Sequence, residues 1–195
     1  MTLADTPFIS PIQRAHSGGY FWTVNRARRI NAILDVASSV QKLVIIAGSQ
    51  GEARDLSERL TLRGLPTLLA ASSGTRHSLA TFEAATRSAL VTTAEYVQRF
   101  GPVGAPITIH LRLPFSARNY VRRLRSSLSA VHLSFVTPED EPRASTLRSA
   151  LCPDHDSSAD EGVDLEEVID LTAGQSVAVV EPGRRRFVFR SENSQ

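Results

Sequence analysis

The sequence predicts a three-layer α/β domain with a mostly parallel sheet, on two observations. Strand-like and helix-like segments alternate from Tyr20 to Val136. Lys42-Leu-Val-Ile-Ile-Ala47 is a continuous apolar run, the pattern of a strand covered on both faces. Alternation of this kind implies βαβ units with right-handed crossovers, which put helices on the faces of a parallel sheet.

The elements follow in order. The first strand spans Tyr20 to Val24, and Asn25 to Ser39 reads as a helix because Ile30, Ile33, Leu34 and Ala37 recur at helical spacing. Gly48-Ser49-Gln50-Gly51 breaks the Lys42–Ala47 strand, and a second helix then turns Ala53, Leu56 and Leu60 inward. It stops at Gly64-Leu65-Pro66, a glycine cap followed by proline. Thr67 to Ala70 is strand-like, a Ser/Gly loop follows, and a helix is predicted around Ser78 to Thr86. Ala89 to Thr93 and Ile107 to Leu111 are two further strands. After Pro114 the segment 117–128 reads as a helix, and Val131 to Val136 as a strand.

The domain is expected to span residues 1–145. Residues 146–170 read as an acidic linker with a short helix, since 153–170 hold eight acidic residues and no basic one and bury little. Residues 171–195 read as a C-terminal β-hairpin, with Ser176–Val180 and Arg186–Arg190 flanking a turn at Glu181-Pro182-Gly183-Arg184.

Composition narrows the function classes. The 195 residues, 42% hydrophobic and 22% charged, suit one globular domain with a sizeable core. No stretch approaches the roughly 18 apolar residues of a membrane span. Met1 to Ser10 lacks the basic and apolar regions of a signal peptide. Cys152 stands alone, so no internal disulfide forms, and a cytoplasmic location is expected. Residues 1–150 hold 18 Lys and Arg against 10 Asp and Glu, a net +8, while residues 151–195 hold 4 against 10, a net −6. A basic body with an acidic tail suggests an anionic partner, or a tail that folds back on the body. Every basic residue except Lys42 is arginine, which suits bidentate contacts to phosphate or carboxylate and equally reflects base composition.

From Lys42 to Asp140 the sequence resembles the C-terminal domain of DEAD-box helicases, the second RecA-like domain of that superfamily 2 family. Lys42-Leu-Val-Ile-Ile-Ala-Gly-Ser49, with Leu56 after it, resembles the motif IV strand and helix. Ile46 stands where members usually carry Phe, and Gly48-Ser49 where they carry Asn/Thr-like residues. Phe82, then Leu90-Val-Thr-Thr93, is spaced like the approach to motif V, and the match runs without a gap to Leu113-Pro114. Asn119-Tyr120-Val121 resembles the segment before motif VI, and Leu133-Ser-Phe-Val-Thr-Pro-Glu-Asp140 the closing strand. The resemblance implies a RecA-like, P-loop NTPase-like fold.

The departures from that pattern bear on activity. Where the family has Thr-Asp in motif V, this chain has Thr93-Ala94. The family's Arg-Gly pair falls on Gln98-Arg99, and its ribose-contacting aspartate on Gly101. In motif VI only Arg123 is retained, and the two later arginines fall on Ser126 and Ser129. Losing an arginine finger costs phosphoryl transfer roughly 10³–10⁵ in rate. The sequence also has no Walker A loop, and one domain cannot supply both lobes of a motor. A pseudoenzyme with no catalytic residues and no cofactor is therefore expected.

Contact with nucleic acid is what the resemblance leaves. It implies that Gly48 and Ser49 stand at a backbone contact and that the Thr93 hydroxyl meets a phosphate of single-stranded RNA. The residues alone equally allow an ordinary turn at Gly48-Ser49 and a helix cap at Thr93. A second candidate surface is arginine-rich. Arg112, Arg118, Arg122, Arg123 and Arg125 lie in a stretch, 111–130, that contains no acid. Arg118, Arg122 and Arg125 at i, i+4, i+7 would share one helix face, the footprint of polyanion binding, of a solvated face, or of a dock for the acidic segment. Tyr20-Phe21-Trp22 is expected to pack a core, His110 and His132 are expected to be structural, and Cys152-x-x-His155 lacks the second ligand pair of a metal site.

The leading expectation is thus a non-catalytic domain binding single-stranded RNA or DNA, or a nucleic-acid-handling complex in which a partner protein supplies a first lobe. A protein-interaction module, self-associating through the hairpin, is the alternative. A small-molecule anion or nucleotide binder built on the Gly48–Gly51 turn is a third.

Overall fold

The computed structural model describes residues 9–12, 19–70, 77–101, 103–125 and 128–151. Strands β1 (Ile9–Ile12) and β2 (Gly19–Thr23) are followed by a single 3-10 turn and helix α1 (Arg29–Ser39). Then come β3 (Lys42–Ala47), α2 (Gln50–Leu62), β4 (Thr67–Ala70), α3 (His77–Ala84), β5 (Ser88–Thr93) and α4 (Ala94–Phe100). Strand β6 (Ile107–His110), α5 (Ala117–Arg125), β7 (Val131–Val136) and α6 (Glu141–Leu151) complete the order. The sheet runs β1-β2-β7-β6-β3-β5-β4. Its six strands from β2 to β4 are parallel, and β1 pairs with β2 antiparallel as an edge.

Alternation along the strands sorts side chains into two cores. From β3, Leu43, Ile45 and Ala47 join the layer formed by α1 and α2, beside Ile33, Val36, Leu56 and Leu60. Val44 and Ile46 point the other way, to α3 and α4, where Phe82 and Tyr96 are buried. That explains the unbroken apolar run, because β3 has helices on both faces. The helix stop read at Gly64 is a Schellman arrangement, in which Gly64 N–H donates to Thr61 O and Leu65 N–H to Leu60 O.

The second face carries a separate core under α5 and α6, built from Phe21, Leu113, Tyr120, Leu124, Val136, Ala144 and Leu147. Between it and the α3/α4 core runs a buried polar seam on β6 and β7, comprising Thr108, His110, His132 and Ser134. Tyr20, Phe21 and Trp22 are all buried, as expected of core aromatics. Trp22 meets Phe135 edge-on at 5.3 Å and Phe21 meets Tyr120 at 5.5 Å.

Three elements are absent from the sequence reading: β1, α4 and α6. Helix α6 begins with Pro142 in its first turn and continues to Leu151, six residues past the boundary expected at 145, with Leu147 buried against α5. The rest of the expected acidic linker, and the expected C-terminal hairpin, lie outside the described residues. Among the described residues no helix is long and apolar enough to cross a membrane.

Candidate nucleic-acid interface

Parallel strands end on one rim of the sheet, and their following turns gather there. Strand β3 sits between β5 and β6. Its helix α2 packs on one face, while α4 and α5 pack on the other. The chain therefore diverges around the end of β3, and such a divergence is where open α/β sheets bind ligands. Gly48 and Ser49 lie there, with the Arg112 loop on one side and Thr93 on the other.

The Gly48–Ser49 turn already holds an anion of its own. Ser49 caps α2, its Oγ accepting from Glu52 N–H at 3.2 Å. Glu52 reaches back, and its Oε2 accepts from Gly48 N–H at 2.8 Å. The other carboxylate oxygen lies 3.4 Å from Arg112 Nε and 3.7 Å from an Arg29 guanidinium nitrogen. Arg29 is largely enclosed, and burial pulls its pKa below the usual value, with Glu52 opposing. Arg112 lies across Gly48 so closely that a Cβ there would stand 2.7 Å from its Cγ. A side chain at position 48 would have to displace the arginine stem. Sequence reasoning missed Glu52. The signal was present, since Ser49-x-x-Glu52 is a capping-box spacing.

Thr93 is buried, and its Oγ1 accepts from Tyr96 N–H at 3.4 Å at the start of α4. The cap is its observed role. Thr93→Ala should cost about 1 kcal/mol, as loss of a cap does. Urea unfolding checks the cost, and oligonucleotide affinity measured on the same variant tells whether the hydroxyl also serves a phosphate.

Positions that depart from the helicase pattern have structural work of their own. Gly101 ends α4 with φ +99°, its N–H donating to Val97 O at 3.0 Å. An aspartate would be strained in that backbone conformation, which glycine adopts freely. Ser129 Oγ lies 2.6 Å from Thr108 Oγ1. Ser126 falls outside the described residues. Lys42 donates to Glu83 O at 2.7 Å and sits over the Phe82 ring.

Helix α5 divides its arginines. Tyr120 and Leu124 face the core. Arg118, Arg122 and Arg125 are exposed on the opposite side and form no ion pair among the described residues. Arg123 is different. It is half-buried, donates to Arg112 O at 2.8 Å, and so braces the loop that carries Arg112. Burial, then neighbouring Arg122, lowers its pKa. In that loop Phe115 is 87% exposed, with the Arg143 guanidinium 4.8 Å from its ring centre. Phe115 was not among the sequence candidates, because a lone phenylalanine carries no pattern.

The seam beneath α5 is neutral. His110 Nε2 lies 3.2 Å from His132 Nδ1, and the rings stack at 5.5 Å. His132 also hydrogen-bonds the Ser129 backbone, and His110 Nδ1 is buried with no hydrogen-bond partner. Burial pushes His132 down to about 4 and His110 well below its usual value, with His132 and Arg123 adding to the shift at His110. Ser134 Oγ donates to Tyr120 Oη at 3.3 Å. Among the described residues no three metal-ligating side chains converge.

No family model and no curated protein matches the sequence. Solved structures do match in fold. The Escherichia coli DEAD-box protein SrmB, bound to regulator of ribonuclease activity A, aligns with a TM-score of 0.56 at 12% identity over 68% of this chain and 83% of that one. The Saccharomyces cerevisiae Dbp5 C-terminal domain, bound to Gle1 and IP6, aligns at 0.56 and 13% over 80% of this chain and 96% of that one. A longer Dbp5 chain, bound to Nup159, Gle1, IP6 and ADP, aligns at 0.57 and 13% over 84% of this chain, which spans 46% of that chain. The sheet order, the two helical layers and these alignments agree: this chain has the RecA-like fold of a DEAD-box helicase C-terminal domain.

Proposed function

We propose that the chain is a non-catalytic, helicase-like domain that binds single-stranded RNA or DNA through the arginine face of α5. One observation carries this reading. Arg118, Arg122 and Arg125 are exposed, share a helix face, and have no acidic partner among the described residues. Cations held unpaired on a rigid element repel one another unless a polyanion joins them, and phosphate contacts of this kind are sequence-independent. The backbone at Gly101 and the Ser129–Thr108 contact support loss of catalysis, because the positions of a ribose contact and of an arginine now serve the fold. The turn at Gly48 and Ser49 supports a nucleotide or small-anion site less well, since Glu52 already occupies its N–H.

Titration of a fluorescent single-stranded oligonucleotide tests the proposal. Three phosphate contacts give a slope of about −2 in log affinity against log salt, hence a roughly 20-fold loss between 50 and 200 mM. Arg122→Glu combined with Arg125→Glu should abolish the binding. Absence of binding by the unaltered chain at low salt would sink the nucleic-acid reading. The exposed Phe115 favours a second reading, a protein partner docking on the β6–α5 loop, as the bound proteins of SrmB and Dbp5 also suggest. Phe115→Ser would weaken a protein partner and leave the salt slope for oligonucleotide unchanged.

A further inference from the structure

The chain contains an anion long enough and close enough to reach the α5 arginines. Helix α6 packs beside α5, and its last residue, Leu151, lies against the core that includes Leu124 of α5. Three residues later the acidic run begins. Asp154, Asp156, Asp160, Glu161, Asp164, Glu166, Glu167 and Asp170 fall in a stretch without a single Lys or Arg. Arg118 to Arg125 spans about 10 Å of helix, at 1.5 Å per residue. An extended chain covers roughly 3.3–3.6 Å per residue, so even the first few acids reach that far. Reach is no obstacle.

We infer that segment 154–170 docks on the arginine face of α5 and competes there with nucleic acid. Charge complementarity argues for this occupant. Eight carboxylates stand against three guanidinium groups that form no ion pair among the described residues, and arginine pairs carboxylate and phosphate with the same planar fork. Tethering argues for it as well. A covalently attached ligand acts at an effective concentration of order millimolar for a short linker, whatever the protein concentration. Each exposed pair is worth little alone, so the contact is multivalent, salt-sensitive and reversible. An incoming polyanion must displace the segment, which lowers apparent affinity and favours long or densely charged strands. The competition rests on the nucleic-acid reading given above; the docking does not.

Two measurements on the full chain separate them. In the first, Cys152→Ser is combined with Asp164→Cys, a nitroxide is attached at position 164, and amide signals of α5 are recorded. Broadening of residues 118–125 at 50 mM salt, relieved at 500 mM and abolished by Arg118→Gln, Arg122→Gln and Arg125→Gln together, is the expected result. No broadening at 50 mM overturns the docking. In the second, the eight acids are changed to Asn or Gln in one variant, with an unchanged thermal midpoint as the check on folding. It should bind a single-stranded oligonucleotide at least about tenfold more tightly at 100 mM salt. Equal affinity of the two chains overturns the competition. Broadening without oligonucleotide binding by either chain upholds the docking and rejects the nucleic-acid reading instead.

Discussion

Lowering the pH from 6.5 to 4 should strip the domain of about 3 kcal/mol of stability through the buried histidine pair. The sign follows from where protons bind. The unfolded chain takes up a proton at His132 near 6.5, whereas the folded chain holds that ring neutral until about 4. Between these limits the unfolded state binds more protons, so stability is full above 6.5 and falls as the medium is acidified. The slope is about 1.4 kcal/mol per pH unit for one histidine. His110 is held down further, by burial, by His132 and by Arg123, and the two rings titrate as a coupled pair. The surroundings compensate a proton only in part: the Ser129 backbone bond opposes burial at His132, while the charged group acting on His110 is Arg123, of the same sign as the proton. Urea midpoints at pH 7, 6 and 5 measure the effect above the range where carboxylates titrate. Replacing both rings, His110→Leu with His132→Leu, should flatten the dependence in that range. An equally steep dependence in the double variant would assign it elsewhere.

The second large effect belongs to α6. Leu147→Ala should cost about 2–5 kcal/mol, the range for an aliphatic side chain removed from a packed core. The residue is buried in the core of Phe21, Tyr120, Leu124 and Val136. Since a domain of this size holds only about 5–15 kcal/mol in total, one such loss is a large share. A chain cut after Ser145, the boundary the sequence suggested, loses Leu147 and Leu151 together. It should unfold at a much lower temperature than a chain cut after Leu151, and calorimetry of the two would show it. Equal midpoints would mean that α6 is an appendage.

These two results bear on what the sequence reveals. Strand β3 was legible because burial on both faces removes polar residues altogether, and α2 because glycine and proline mark its end. Helix α6 was harder to see. Its apolar residues are few, Ala144, Leu147 and Leu151, and the adjacent acidic run draws attention to charge. Pro142 just inside its start was the available signal. Strand β1 is four residues long and contains Pro11, and α4 is a seven-residue helix carrying Tyr96, Val97 and Phe100, types that favour strands. The α5 arginine face was legible from i, i+4, i+7 spacing, and the structure separates Arg123 from it. The histidine pair was not legible, because the contact depends on the register of β6 against β7. Glu52 was legible in spacing alone; its arginine partners come from α1 and from the β6–α5 loop, far away in sequence.

The pairing of β2 with β7 has a consequence during synthesis. Trp22 lies opposite Phe135, 113 positions later in the chain. At roughly 5–20 residues per second a ribosome needs about 6–23 s to bridge that interval. Through it β2, with its apolar Phe21 and Trp22, waits without the parallel neighbour that will bury it. Strand β1 is the partner made beforehand, and Ser10 pairs with Phe21 across a short antiparallel ladder. The nascent domain thus carries a temporary half-shelter on β2, and β7 completes it when it emerges.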